Sequence, residues 1–225
     1  MSYTYDYPHP SVTTDIVIFT VEDATLKVLL IQRKGAPFKG RWALPGGFVR
    51  IDESVDDCAL RELEEETGIR DVYLEQLYTF GAPGRDPRER VISVAYFALT
   101  PCQGLSLKAG TDAAAAAWYG IDDLPELAFD HQGIIEKARE RLTAKMEYST
   151  LGLMFMPDEF TLSEVQNLYE IVSGQERDKR NFRKWLLSLD VIEETGNMKT
   201  AGAHRPAKLY RLKDTKDTKD IVIIR

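Results

Sequence analysis

The sequence predicts an α/β sandwich domain followed by a small unit of two helices and a hairpin. Three observations carry this reading. Strand-like and helix-like runs alternate over the first 147 of the 225 residues. Beyond residue 148 a capped apolar helix, a basic amphipathic helix and a hairpin follow in order. The charge also divides along the chain. Residues 1–156 carry 16 basic and 24 acidic side chains, a net of −8, whereas 177–213 carry 10 and 4, a net of +6. Two units with different partners are therefore expected, 1–147 and 148–225, the second including a linker and a charged tail. The overall charge of −7 argues against nucleic acid only if it is evenly spread, and it is not. With 44% hydrophobic and 29% charged residues the composition is that of a globular protein. No apolar run approaches the ~20 residues that cross a bilayer. The opening Met1-Ser2-Tyr3-Thr4-Tyr5-Asp6-Tyr7 has no basic or apolar region of a signal peptide, so a cytoplasmic protein without a membrane partner is expected. Cys58 and Cys102 cannot by themselves form a disulfide framework or a zinc site.

Thr14–Val21 and Leu26–Gln32 are β-rich and joined by Glu22-Asp23-Ala24-Thr25, which reads as an antiparallel hairpin. A loop over 35–40 leads to Trp42-Ala43-Leu44 and Pro45-Gly46-Gly47. Ser54–Thr67 reads as a helix, with Ser54 as N-cap, Asp56 and Asp57 in the first turn and Gly68 as the stop signal. Val72–Phe80, Arg90–Leu99 and Ala113–Tyr119 are further strands, and 81–89 is a loop. His131–Lys145 is the second helix.

The first helix carries the chemistry. Glu62, Glu65 and Glu66 stand at i, i+3 and i+4, so they project from one face. Three clustered carboxylates repel one another unless a cation sits among them, and hard oxygen ligands at this density suit Mg²⁺ or Mn²⁺. Arg61 is placed to hold one of them, and the small Gly47 allows a backbone carbonyl to join the metal site. An isolated glutamate triplet is usually just a solvated helix face. Here the spacing runs Gly47, five residues, Glu53, seven residues, Arg61-Glu62-Leu63, one residue, Glu65-Glu66, one residue, Gly68-Ile69. Seven fixed residues at ordinary usage give a chance match of order 10⁻⁹ per start position.

This spacing resembles the Nudix box at every defined position, over a region of roughly residues 12–147. The resemblance implies an α/β/α sandwich with a mixed sheet and hydrolysis of a nucleoside diphosphate linked to another moiety. It makes Glu62 and Glu66 the principal metal ligands, with Glu65 a further ligand or a water contact and Glu53 a support for Arg61. Glu65 is the first candidate for the general base and Glu89 the second. Arg85 and Arg88, in the 81–89 loop, and the neighbouring Arg90 are candidates to meet phosphate or ribose. Phe38, Trp42 and Phe48 are candidates to stack on a base, although aromatics near a sheet are more often core.

In the second unit, Thr161 and Glu164 form a capping box, Leu162, Val165, Leu168, Tyr169 and Val172 follow helical spacing, and Gly174 ends the helix. A helix from about Asp178 to Leu189 would bury Phe182, Trp185, Leu186 and Leu189 and turn Lys179, Arg180, Arg183 and Lys184 the other way. Val191–Thr195 and Ala207–Leu212 would form a hairpin with Lys199, His204, Arg205 and Lys208 near its tip. A helix-turn-helix needs such a basic second helix to enter the major groove, with the hairpin as a wing.

Phe160-Thr161-Leu162, 168–170, 178–183 and 205–211, together with 84–88 and 127–131, resemble the NrtR family of Nudix-related transcriptional regulators. That resemblance covers nearly the whole chain. It implies a homodimer that binds palindromic double-stranded operator DNA, represses genes of NAD biosynthesis and senses ADP-ribose; some relatives sense sugars. Regulators of this kind often have a degenerate Nudix box, whereas this chain keeps Glu53, Glu62, Glu65, Glu66 and Arg61. The expectation is an ADP-ribose-responsive regulator that still hydrolyses its ligand. The alternatives are an ADP-ribose pyrophosphatase with a dimerising C-terminal domain and a sugar-responsive repressor. Residues 213–220 are a low-complexity charged repeat, and Ile221–Ile224 an edge strand or a tail.

Overall fold

A computed structural model describes residues 4–70, 72–101, 113–200 and 206–213. Cys102, His204, Arg205, most of the charged repeat and Ile221–Ile224 lie outside the described residues. The chain divides into two compact units. The first holds 1–19, 27–99 and 105–139, and the second 20–26, 100–104 and 140–225, so the division falls inside a helix rather than after residue 147.

The first unit is built on a mixed sheet. Its central strand β1 (Ser11–Glu22) runs parallel to β6 (Val91–Leu99), from Ser11 opposite Val91 to Phe19 opposite Leu99. β5 (Tyr73–Phe80) continues beyond β6 as an antiparallel neighbour. On the other side β2 (Thr25–Arg33) follows β1 and carries β3 (Trp42–Ala43) and β7 (Ala113–Gly120), both antiparallel. The short β4 (Gly46–Phe48) returns antiparallel to the start of β1, with Gly46 opposite Asp15 and Gly47 opposite Thr14.

Helix α1 (Val55–Thr67) opens on a capping box between Ser54 and Asp57 and closes on Gly68 at φ 75°. Its Ala59 and Leu63 pack with Ile16, Ile18 and Leu29 of the sheet. The intervening Val17 and Phe19 are fully buried and, by strand alternation, face the opposite side. Helix α2 (His131–Tyr148) brings buried Ile134, Ile135 and Ala138. It runs three residues past the expected Lys145.

The second unit is a winged helix-turn-helix. A short 3-10 turn (Leu151–Phe155) buries Leu151, Leu153 and Phe155 where a linker is expected, consistent with its apolar composition. Helix α3 (Leu162–Ser173) has the expected Thr161–Glu164 capping box and a left-handed Gly174. Helix α4 (Lys179–Ser188) is capped by Asp178. Tyr169, Phe182 and Trp185 meet edge to face or tilted, with ring centroids 5.2–5.5 Å apart. Strands β8 (Ile192–Lys199) and β9 (Ala207–Leu212) form the wing. β8 extends beyond the expected Thr195 because Gly196, at φ 83°, sits in an irregularity of the strand rather than in the turn. Phe160 and Tyr210 exchange both backbone hydrogen bonds, which fixes the wing to the entry of α3.

Candidate active site and nucleic-acid interface

The box residues meet at the junction of β4 and α1. Gly47 is required by close approach: a Cβ there would lie 2.1 Å from Glu62 Oε1. At Gly46 a Cβ would lie 2.0 Å from the Thr14 carbonyl oxygen, at a φ of 154°. The Gly46 amide donates to Glu66 Oε2 at 2.8 Å, so the strand holds one carboxylate directly. Arg61 holds the others. Its Nη2 and Nε donate to Glu53 at 2.7 and 2.9 Å, and its Nη1 donates to Glu62 at 2.6 Å and to Glu65 at 3.1 Å. The Arg61 guanidinium holds the Glu53 carboxyl down at about 2, well below the usual carboxylate range. Burial pushes the Cys58 thiol up to about 11, so this cysteine is an unreactive neighbour.

A cavity of about 530 Å³ opens beside these residues. Glu62, Glu66 and Gly47 line it, with Arg33, Lys34, Arg85 and Arg88 among the cations. Glu65 does not line it. Its side chain is 53% exposed and drawn to Arg61 and Arg50. Among the described residues no three or more acidic, His or Cys side chains are placed to share a metal. The three-carboxylate ligand set expected from helical spacing is therefore not assembled, because Arg61 takes Glu65 away. What faces the cavity is two carboxylates and the Gly47 backbone. That set fits Mg²⁺, which commonly keeps several waters and takes only one or two protein carboxylates beside substrate phosphates. Glu89, the other base candidate, also lies off the cavity lining and accepts from Ser11 Oγ at 3.0 Å.

The substrate candidates divide. Arg88 lines the cavity, braced by Asp86 through Nη2 at 2.6 Å and Nε at 3.0 Å. Phe48 lines it too and is 41% exposed. Trp42 does not. It packs edge to face on Tyr119, with centroids 4.9 Å apart. Arg85 reaches the cavity wall, but its side chain is only 4% exposed. It is held by Asp130 at 2.6 and 2.9 Å and by Asp15 at 3.1 Å. Burial opposes its charge, yet these two carboxylates raise its pKa above the ordinary value. Arg85 is thus a structural brace rather than a loop arginine awaiting phosphate. Phe38, at φ 62°, packs on Phe129 and not on open space.

Several cavity residues carry no motif signal. Asp15 accepts from Ser93 Oγ at 2.5 Å and faces His131 Nε2 at 3.4 Å. His131 Nδ1 accepts from the Leu44 amide at 2.8 Å. A nitrogen that accepts cannot carry a proton, so this bond requires the neutral imidazole. Burial lowers the His131 pKa in the same sense, against the pull of Asp15 and Asp130. An aspartate in the apolar run of β1 was a signal that could have found this network.

In the second unit Lys179, Arg180 and Lys184 are exposed on α4 and make no ion pair among the described residues. Arg183 departs from the expected outward face. It is half-buried and donates to Ser163 Oγ of α3 at 3.0 Å. On the wing Lys208 pairs with Glu194 at 2.9 Å and Lys199 with Glu164 at 2.6 Å. No helix of the described residues is long and apolar enough to cross a membrane.

Residues 10–138 match the NUDIX domain family, and residues 152–212 match the NrtR DNA-binding winged helix domain. The chain belongs to the Nudix family and carries the NrtR winged helix. It is 42% identical over 210 residues to the ADPR responsive transcriptional repressor NtrR of Acinetobacter baylyi, covering 92% of this chain and 83% of that protein. An ADP-ribose pyrophosphatase of Methanocaldococcus jannaschii is 44% identical over 130 residues, 58% of this chain and 73% of that one. Among solved structures the chain is similar to Shewanella oneidensis NrtR complexed with a 27mer DNA. The TM-score is 0.83 at 40% identity, over 92% of this chain and 95% of that chain.

The His131 geometry sets a pH dependence of stability. The unfolded imidazole takes up a proton below about pH 6.5, whereas the folded one, with its lowered pKa, does not. Its contribution is therefore fully present above pH 6.5 and is lost as pH falls toward the folded pKa. Urea midpoints should fall between pH 7 and pH 5.5, by up to about 1.4 kcal/mol per pH unit. His131→Asn should flatten that limb. An equally steep limb in the variant would show that another group is responsible.

Proposed function

We propose that this chain is an ADP-ribose-responsive transcriptional regulator of NAD metabolism that also hydrolyses ADP-ribose. The observation that carries the proposal is the pairing, in one chain, of an intact carboxylate–arginine site facing a cavity with a winged helix whose α4 cations are exposed. The similarity to a repressor over most of both chains supports the regulatory part. The similarity of the first unit to a pyrophosphatase supports the hydrolytic part.

Glu62, Glu66 and the Gly47 carbonyl would hold a Mg²⁺ or Mn²⁺ ion in the cavity. When bound, such an ion neutralises phosphate oxygens and lowers the pKa of an attacking water. Arg61 acts as a positioning residue. By occupying Glu53 and Glu65 it leaves Glu62 and Glu66 as the carboxylates on the wall. Lys34, Arg33 and Arg88 supply positive charge for a pyrophosphate, and Asp86 keeps Arg88 in place. Arg85 instead ties β1 to Asp130, next to the start of α2. For a proton to reach Glu65, that side chain must leave Arg61 and Arg50, so a ligand that competes for Arg61 would favour its use as base. On DNA, α4 enters the major groove as the recognition helix, with Lys179, Arg180 and Lys184 toward phosphates or base edges and Lys208, with Arg205, on the wing. The active form is a homodimer, so that two such helices read a palindrome.

With Mg²⁺ or Mn²⁺ the protein should split ADP-ribose into AMP and ribose 5-phosphate. Glu62→Gln and Glu66→Gln should each lower the rate by at least about two orders of magnitude. Unchanged turnover in both variants would remove these residues from the site. No turnover of any nucleoside diphosphate derivative by the wild type would leave a sensor without catalysis.

DNA binding should depend steeply on salt, because phosphate neutralisation releases counterions. Replacing Lys179, Arg180 and Lys184 together by Ala should weaken binding and flatten the log–log salt slope by about one for each lost phosphate contact. Hydrolysis should be unaffected. The measurement uses palindromes selected from random DNA by the full chain. If the wild type selects no sequence, the regulator reading fails and the pyrophosphatase reading replaces it.

A further inference from the structure

The aromatic and guanidinium groups of the cavity do not resemble an ordinary core contact. Phe129 adopts φ 54°, a conformation that a bulky residue rarely takes and that tends to persist where the surroundings force a side chain into place. Its ring reaches the cavity wall. One edge is supported by Phe38, with centroids 4.9 Å apart at 71°. The Arg33 guanidinium lies over the ring at 4.8 Å. The Arg88 guanidinium lies 5.7 Å from the Phe129 centroid and 5.4 Å from the Phe48 centroid, so it stands between two rings that both face the cavity. Asp86 grips Arg88 at two nitrogens and also accepts from its backbone amide at 2.9 Å. The guanidinium is therefore a fixed plane. It is not a mobile cation placed to chase a phosphate.

A flat charged plane bracketed by two aromatic rings suits a flat, delocalised, neutral ring. Bases stack on both aromatic faces and arginine planes, and such stacking has little need of edge-specific hydrogen bonds. A sugar or a bare phosphate would gain much less from this arrangement. We propose that Phe129, Arg88 and Phe48 form the slot for the nucleobase of the ligand, and that Phe129 determines the preference for a nucleotide over a sugar phosphate. This rests on the reading of the cavity as an ADP-ribose site. It assigns the two ends of that cavity: the base between Phe129, Arg88 and Phe48, and the pyrophosphate toward Glu62, Glu66 and Gly47.

The test is calorimetric titration of the full chain, in EDTA to prevent turnover, with ADP-ribose, AMP and ribose 5-phosphate. The proteins are the wild type, Phe129→Leu and Phe129→Trp. Leucine keeps an apolar filler at the same backbone position but removes the π face, and thermal melting checks that the fold survives. Phe129→Leu should raise the Kd for ADP-ribose and AMP by roughly tenfold or more, leave ribose 5-phosphate binding unchanged, and be rescued by Phe129→Trp. The wild type should also quench the fluorescence of 1,N6-etheno-ADP-ribose, and Phe129→Leu should not. Equal weakening of AMP and ribose 5-phosphate, or no weakening of either, would overturn the slot. If the wild type binds no ADP-ribose at all, the effector reading fails and the slot fails with it.

Discussion

Four carboxylates on and beside one helix repel one another, and the site depends on how that repulsion is met. Arg61 meets most of it, donating to Glu53, Glu62 and Glu65 at once. The fourth, Glu66, is met by the backbone amide of Gly46. That second contact is possible only because β4 presses against both β1 and α1. A side chain at Gly46 would collide with the Thr14 carbonyl and one at Gly47 with Glu62. Two glycines and one arginine thus convert an unfavourable charge cluster into a directed pair of carboxylates.

A second electrostatic element is independent of the first. Arg85, Asp15 and Asp130 form a largely buried charge network, with Ser93 and His131 satisfying Asp15 further. Breaking such a network by removing one partner typically costs about 3–5 kcal/mol, because the other charges stay buried without compensation. It draws the 81–89 loop, β1 and the start of α2 onto one wall of the cavity. His131 extends the same wall to Leu44, one residue before Pro45-Gly46-Gly47. The position of the metal-binding backbone is therefore linked by hydrogen bonds to residues far away in the chain.

The parts of this structure that the sequence makes legible are those set by fixed local spacing. Glu62, Glu65 and Glu66 share a face because the helix has its period, and Thr161 with Glu164 caps α3 because that pair is a local device. The failures are all tertiary. Arg85 looks like a loop arginine until Asp15 and Asp130, 70 and 45 residues away, claim it. Glu65 has the right spacing for a metal, but Arg61 and Arg50 compete for it. Trp42 has the right chemistry for a base, yet Tyr119 of a neighbouring strand is its partner. Arg183 follows the basic face of α4 by pattern and is drawn back by Ser163 on α3. Phe129 could not be assigned, because its conformation and its bracketing arginines exist only in the folded cavity.

The central claim is that one chain binds ADP-ribose and DNA and that the two events are thermodynamically linked. Linkage requires reciprocity: the factor by which ADP-ribose changes DNA affinity must equal the factor by which DNA changes ADP-ribose affinity. The most direct measurement is a pair of titrations on the full chain at low metal, using a selected palindrome and saturating the other ligand in turn. The account predicts a change of at least about fivefold in each, with the two factors equal within error. DNA affinity that stays the same at saturating ADP-ribose would contradict it.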